Sequence, residues 1–218
     1  MVKFILPGFY ENYHLNIDLL NMMKQYPEYF YDNIEIEAFY GNFQFCIFDG
    51  GRIFTDYRQT NLEEIKTIIY NYNEIFEKPL RLVFTNPILE PKHFTDRFGN
   101  ICLAECENSF NEIVINNSEF EKYVREKYPN YSFISSTTKC LNHFEDLERE
   151  LNNPNYKMVC LDYNLNKNKK VLELPEEIRH KCEFLVNAIC PPGCLNRKEH
   201  YKLNGLYSLT YGKSYGVN

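Results

Sequence analysis

Ile113-Val114-Ile115-Asn116-Asn117-Ser118-Glu119-Phe120-Glu121 holds a complete structural unit in one short run. Three β-branched apolar residues in a row read as a strand buried on both faces, as strands are in parallel sheets covered by helices. Two asparagines follow, and then Ser118 with an acid three residues on, which is the start signal of a helix. That helix must stop before Tyr128-Pro129, because proline disfavours the helical conformation of the residue preceding it. A new apolar run, residues 132–135, begins directly afterwards.

Working outward, the same unit recurs. Strand-like runs lie at residues 4–6, 34–39, 80–84, 113–115, 132–135, 158–161 and 184–186. Helical stretches lie between them, with further start signals at Thr60 with Glu63 and Asn142 with Glu145. Leu62, Ile65, Ile69, Tyr72 and Phe76 fall at spacings of three and four, an apolar stripe suited to packing on a sheet. Tyr26-Pro27 provides another helix stop. Repetition of β then α predicts an α/β fold of parallel strands, a TIM-like (β/α) barrel in preference to an open doubly wound sheet. Residues 206–211 read as an eighth strand with no helix after it, so either the barrel is incomplete or the chain is truncated at its C-terminus.

A chain of 218 residues suits one domain, and no shift in composition marks an internal boundary. The formal charge of −6 and the lack of a Lys/Arg block argue against a nucleic-acid clamp or an anionic-membrane binder. The first apolar run ends at Pro7-Gly8, too short for a signal sequence or a membrane span, which predicts a cytoplasmic protein. Its 8 cysteines then read as free thiols or metal ligands rather than a disulfide framework. The expected partner is a small-molecule or peptide substrate, with no membrane and no strong nucleic-acid signal.

In barrels and open α/β sheets ligands bind at the carboxyl ends of the strands. Here those ends are polar: Thr85-Asn86, Asn116-Asn117, Ser135-Ser136-Thr137-Thr138-Lys139, Asp162-Tyr163-Asn164 and Asn187. Any one pair reads equally well as a helix cap; the recurrence points to a functional face. Ile34-Glu35-Ile36-Glu37 alternates, so if the isoleucines face the helices the glutamates point inward, with Glu37 nearer the mouth. An edge strand with solvated acids is the rival reading. Tyr40-Gly41 and Asp49-Gly50-Gly51-Arg52 read as a loop in which Arg52 forks onto a carboxylate or phosphate, or else as a hairpin turn.

Cys190-Pro191-Pro192-Gly193-Cys194, followed by Arg197, His200 and Tyr201, is the sharpest local signal. Two thiols across a rigid turn can converge on one metal, for which thiolates select zinc, in a catalytic or a closed structural site, or an iron-sulfur cluster; unligated turn cysteines are the rival reading. Cys182, Cys140, Cys160 and Cys46 are the remaining ligands on offer. Cys102 and Cys106 share the spacing, but Ser109 stands where a radical-SAM loop needs its third cysteine, so packing within a helix is expected there.

Val186-Asn187-Ala188-Ile189-Cys190 with Cys194, Arg197, His200 and Tyr201 resembles the cysteine loop of the collagenase-like peptidase family of unknown catalytic type. Phe39-Tyr40-Gly41, Gly50-Gly51-Arg52, Thr85-Asn86 and Ser136-Thr137-Thr138-Lys139 are similar to an uncharacterised branch of it. The resemblance implies a partial or full (β/α) barrel and peptidase-like or oxygen-independent hydroxylase-like activity. It also implies a [4Fe-4S] cluster held by Cys190 and Cys194, with Cys182 as third ligand. The expected enzyme uses Glu37 and Asp162 for charge or proton transfer and His200 as ligand or general acid. Tyr40, Arg52, Asn86, Asn117, Thr138, Asn164, Asn187 and Arg197 would contact substrate. Two alternatives stand beside it: a binding or scaffold barrel with a structural cysteine loop, and a metal-free lyase or isomerase using Lys139 as a Schiff-base amine.

Overall fold

The structure is a computed structural model that describes residues 1–53, 58–188 and 190–215, with side chains as far as Tyr211. Strands and helices alternate: β1 (Val2–Pro7), α1 (Tyr13–Gln25), β2 (Ile34–Gly41), α2 (Leu62–Tyr70, extended by a π turn Asn71–Ile75), β3 (Leu80–Phe84) and α3 (Arg97–Cys106). There follow β4 (Glu112–Ile115), α4 (Ser118–Lys127), β5 (Ser132–Ser135), α5 (Phe144–Leu151), β6 (Met158–Cys160), the short α6 (Lys169–Leu172) and α7 (Glu176–Arg179), β7 (Cys182–Glu183) and α8 (Arg197–Tyr215). α1 and α4 end at Gln25 and Lys127, each one residue before the Tyr-Pro pair.

Among the described residues the seven strands are all parallel and pair in chain order, β1 through β7. Sequential order is the winding of a barrel, since a doubly wound sheet reverses direction at a switch point. The sheet is curled into a half-barrel. Four strand spacings of about 4.8 Å would put β3 and β7 about 19 Å apart in a flat sheet. Yet Arg81 on β3 donates to Glu183 on β7 at 2.5 Å, so the inner faces of the two strands meet across the concave side.

Alternation along the strands separates two environments. Leu80, Leu82 and Phe84 of β3 join the core under the helices, with Phe39 of β2, Ile113 and Ile115 of β4 and Val159 of β6. The intervening side chains face the hollow, and low in it they are charged. Glu112, 1% exposed, accepts from Arg81 and from Lys157, each at 2.5 Å. Lys3 pairs with Glu37 at 3.1 Å. The reading of uniformly apolar strands therefore held for one face alone.

Other departures have local causes. Asn61, not Thr60, caps α2, in a reciprocal box with Glu64, and the Thr60 hydroxyl accepts instead from the Gln44 amide. Asn117, not Ser118, caps α4, and α5 has no side-chain cap. Of the α2 stripe, Ile65 and Tyr72 are buried, Ile69 and Phe76 are partly buried and Leu62 is 40% exposed, while Ile68, outside the stripe, is buried. β7 lies at Cys182–Glu183, ahead of the apolar residues 184–186. Among the described residues no strand forms at residues 45–48, where the chain turns and Phe45 takes a positive φ of 67°; Phe54, at the end of the other arm of the hairpin reading, lies outside the described residues.

Residues 206–211 are not a strand. They belong to α8, which lies against the carboxyl ends of the strands instead of extending the sheet: Gly205 approaches Asn86, Asn204 donates to the Gly51 carbonyl at 3.2 Å, and Leu209 joins the core. Gly205, Ser208 and Leu209 are buried at spacings of three and four, a helical face. An apolar run of this length carries either geometry until its neighbours are known. Among the described residues no helix is long and apolar enough to cross a membrane.

Candidate metal centre and barrel-mouth cavities

The cysteine loop is built on the end of β6. Gly193 adopts φ of +72°, a conformation glycine takes without penalty, and its N–H donates to Asn164 Oδ1 at 2.9 Å. The Tyr163 hydroxyl donates to the Pro191 carbonyl at 2.8 Å. Asp162 caps the turn that carries these two residues and receives Arg197 Nη1 at 2.6 Å. Arg197 also donates to Thr137 at 2.8 Å and to Tyr201 at 3.1 Å, and its guanidinium lies 4.4 Å from the Tyr163 ring centroid. Asp162 and Arg197 are 3% and 4% exposed, so this is a buried ion pair that ties the start of α8 to the sheet.

Held this way, the Cys190 and Cys194 thiols and a His200 ring nitrogen lie within 4.8 Å of one another, a group able to hold a metal ion. Two thiols and an imidazole match the donors zinc prefers. Cys182 is not in the group. It sits on β7, packed against the core, where burial pushes its thiol up to about 11. Cys140 and Cys160 are likewise raised by burial, and Cys46, Cys102 and Cys106 are buried thiols.

Two cavities open beside this loop. The outer, about 540 Å³, is bordered by Cys190, His200, Arg197, Asn187, Tyr40 and Arg52. The deeper, about 180 Å³, lies inside the curl; Tyr40, Gly51, Arg52, Leu185 and Tyr201 border both. Its remaining polar wall includes Glu11, Asp49, Thr85, Thr138 and Glu183. Burial raises the Glu11 carboxyl, against the pull of its backbone hydrogen bond and of Arg52. Burial likewise raises the Tyr40 phenol, which Arg52 opposes by charge and hydrogen bond. Asp49 is pushed up to about 7, first by burial and then by the Glu11 charge, despite hydrogen bonds from the Gly51 and Arg52 amides.

The residues expected to contact substrate divide in two. Tyr40, Arg52, Thr138, Asn187 and Arg197 border the cavities. Asn86 does not: fully buried, it donates to the Ile47 and Gly205 carbonyls at 2.9 and 3.1 Å. Asn117 caps α4 and donates to Leu89, and Asn164 is occupied by the cysteine loop and Asp162. Glu37 is not at the mouth. A register shift between Phe4 and Ile5 leaves it unopposed on β2, and it turns to Lys3 near the start of β1. Lys139 is held by Glu150 at 2.5 Å and Tyr156 at 2.9 Å and borders neither cavity. Thr85 and Asp49, which belong to the polar strand ends and the glycine loop read from the sequence, border the deeper cavity, whereas Glu11 went unrecognised because the loop that carries it has no strand-like or motif signal. Nothing among known protein families, curated proteins or solved structures matches this chain.

Proposed function

We propose that this is a barrel-type enzyme that holds one zinc ion through Cys190, Cys194 and His200 and acts on a small polar substrate in the adjoining cavities. The observation that carries the reading is the convergence of those three ligand atoms within 4.8 Å, with Cys190 and His200 on the border of the outer cavity, which shares wall residues with the polar deeper one. Three protein ligands leave a fourth tetrahedral position for water or substrate, the arrangement of catalytic rather than structural zinc sites. When bound, the ion supplies Lewis-acid polarisation or a water of lowered pKa. Arg197 positions the loop, and Tyr40, Arg52 and Tyr201 border both cavities.

The donor set supports zinc over a four-cysteine cluster. The same proposal takes in a TIM-type ancestry shared with the collagenase-like peptidases and a cytoplasmic setting, where thiols stay reduced. Metal analysis of the full chain, purified without chelator, is expected to find about one zinc per chain. Cys190→Ser and Cys194→Ser should each lose it while keeping the circular dichroism of the parent. Iron with matching sulfide would replace zinc by a cluster, and unchanged zinc in both variants would refute the ligand assignment.

A further inference from the structure

The deeper cavity has a feature the metal centre does not explain. Thr85 Oγ1 is buried, borders the cavity and has no hydrogen-bond partner among the described residues. A buried hydroxyl left unpaired is costly, so such a group marks a position where a ligand's polar atom is welcome. Gly51 shows where that atom would sit. A Cβ added there would lie 3.5 Å from Thr85 Oγ1 and 3.7 Å from Asp49 Oδ1, so the hydroxyl and the carboxyl face one small space across the glycine.

Charge decides what else the ligand carries. The cations at the cavity are Arg81 and Arg52. Arg81 is committed to Glu112 and Glu183, each at 2.5 Å. Arg52 donates to the Tyr40 phenol, and its acidic neighbours are Glu11 and Asp49, the two carboxyl groups that burial drives toward the neutral form. A guanidinium in that setting favours an incoming carboxylate, which it binds in a planar fork. At about 180 Å³ the space suits a small metabolite, below the range of drug-sized sites.

We infer that the deeper cavity binds a small carboxylic acid bearing a hydroxyl or amino group on its α-carbon, its carboxylate on Arg52 and its α-substituent between Asp49 and Thr85. This deepens the proposed function by naming a substrate class, but the binding requires no metal.

The test is calorimetric titration and thermal shift of the full chain, both zinc-loaded and chelator-treated, with glycolate, L-lactate and L-serine, and with lactamide and propane-1,2-diol as matched controls. At least one acid should bind and raise the melting temperature, and the two controls should not. Arg52→Gln should abolish binding. Thr85→Val, which takes nothing from the unliganded fold, and Gly51→Ala, whose new methyl meets its neighbours at ordinary contact distances, should each weaken binding about tenfold or more, the equivalent of one lost hydrogen bond. If no acid binds either form, if lactamide binds as well as lactate, or if both small variants bind like the parent, the inference is overturned. Zinc present with no acid bound would sink the substrate class alone; acid binding by a chain that is purified without chelator and takes up no zinc when it is supplied would sink the metal reading alone.

Discussion

Replacing Asp49 by Asn should make the protein more stable at neutral and alkaline pH, by an amount that grows with pH in a defined window. Asn keeps an oxygen that can accept from the Gly51 amide, at 2.9 Å in the parent, so that turn bond survives while the charge and part of the bonding to the Arg52 amide are removed. The folded carboxyl titrates at about 7, against 3.8 for the free side chain. Below 3.8 both states are protonated and the group contributes nothing to the difference. Between there and about 7 the unfolded chain gives up its proton while the folded chain keeps it, so stability falls as pH rises; above about 7 the loss is complete and level. The gap sets an upper bound of about 4 kcal/mol, and relaxation around a half-buried group reduces it, so about 1–4 kcal/mol is expected at pH 8. With a urea slope of about 2–3 kcal/mol per molar, the midpoint should rise by roughly 0.3–2 M. Urea unfolding of parent and variant from pH 5 to pH 8.5 reads this directly. A variant less stable at pH 8, or a difference that does not change with pH, would refute the burial argument.

The charged layer of the hollow allows a second prediction. Glu112→Gln leaves Arg81, 1% exposed, with Glu183 as its remaining carboxylate and should cost about 3–5 kcal/mol in urea unfolding; a loss below about 1 kcal/mol would mean that the hollow rehydrates freely. Asn86→Ala strips the Ile47 and Gly205 carbonyls and the Ile88 amide of a buried partner and should cost about 2 kcal/mol or more. Hydrogen exchange should then accelerate in the part of α8 around Gly205, whereas unchanged protection there would show that α8 is held by its other contacts.

Much of the architecture was readable because its signals are local. Apolar runs broken by Tyr-Pro stops and Asn caps depend on a few neighbouring residues, and they marked the strands to within a few positions. The cysteine loop was readable for the same reason: Gly193 and the prolines preset the turn that brings the two thiols together. Where a residue's role depends on distant chain, local reading failed. Asn86 and Asn164 look alike at strand ends as candidate ligands, yet Gly205 and Gly193 each claim one of them from far along the chain. Glu37 faces the hollow as its alternation implies, near Arg81 and Glu183, but it lies low in it and pairs with Lys3 instead of standing at the mouth.

The amino-acid sequence by itself determined that strands and helices alternate, that the strands run parallel and that two cysteines share one turn, because steric preference and hydrophobic period act over a few residues. Tertiary structure alone decided that His200 rather than Cys182 meets those cysteines, that α8 lies against the strand ends instead of adding an eighth strand, and that Asp49, Thr85 and Arg52 share one hollow. Those outcomes follow from the curl of the sheet, which brings together side chains that lie far apart along the backbone.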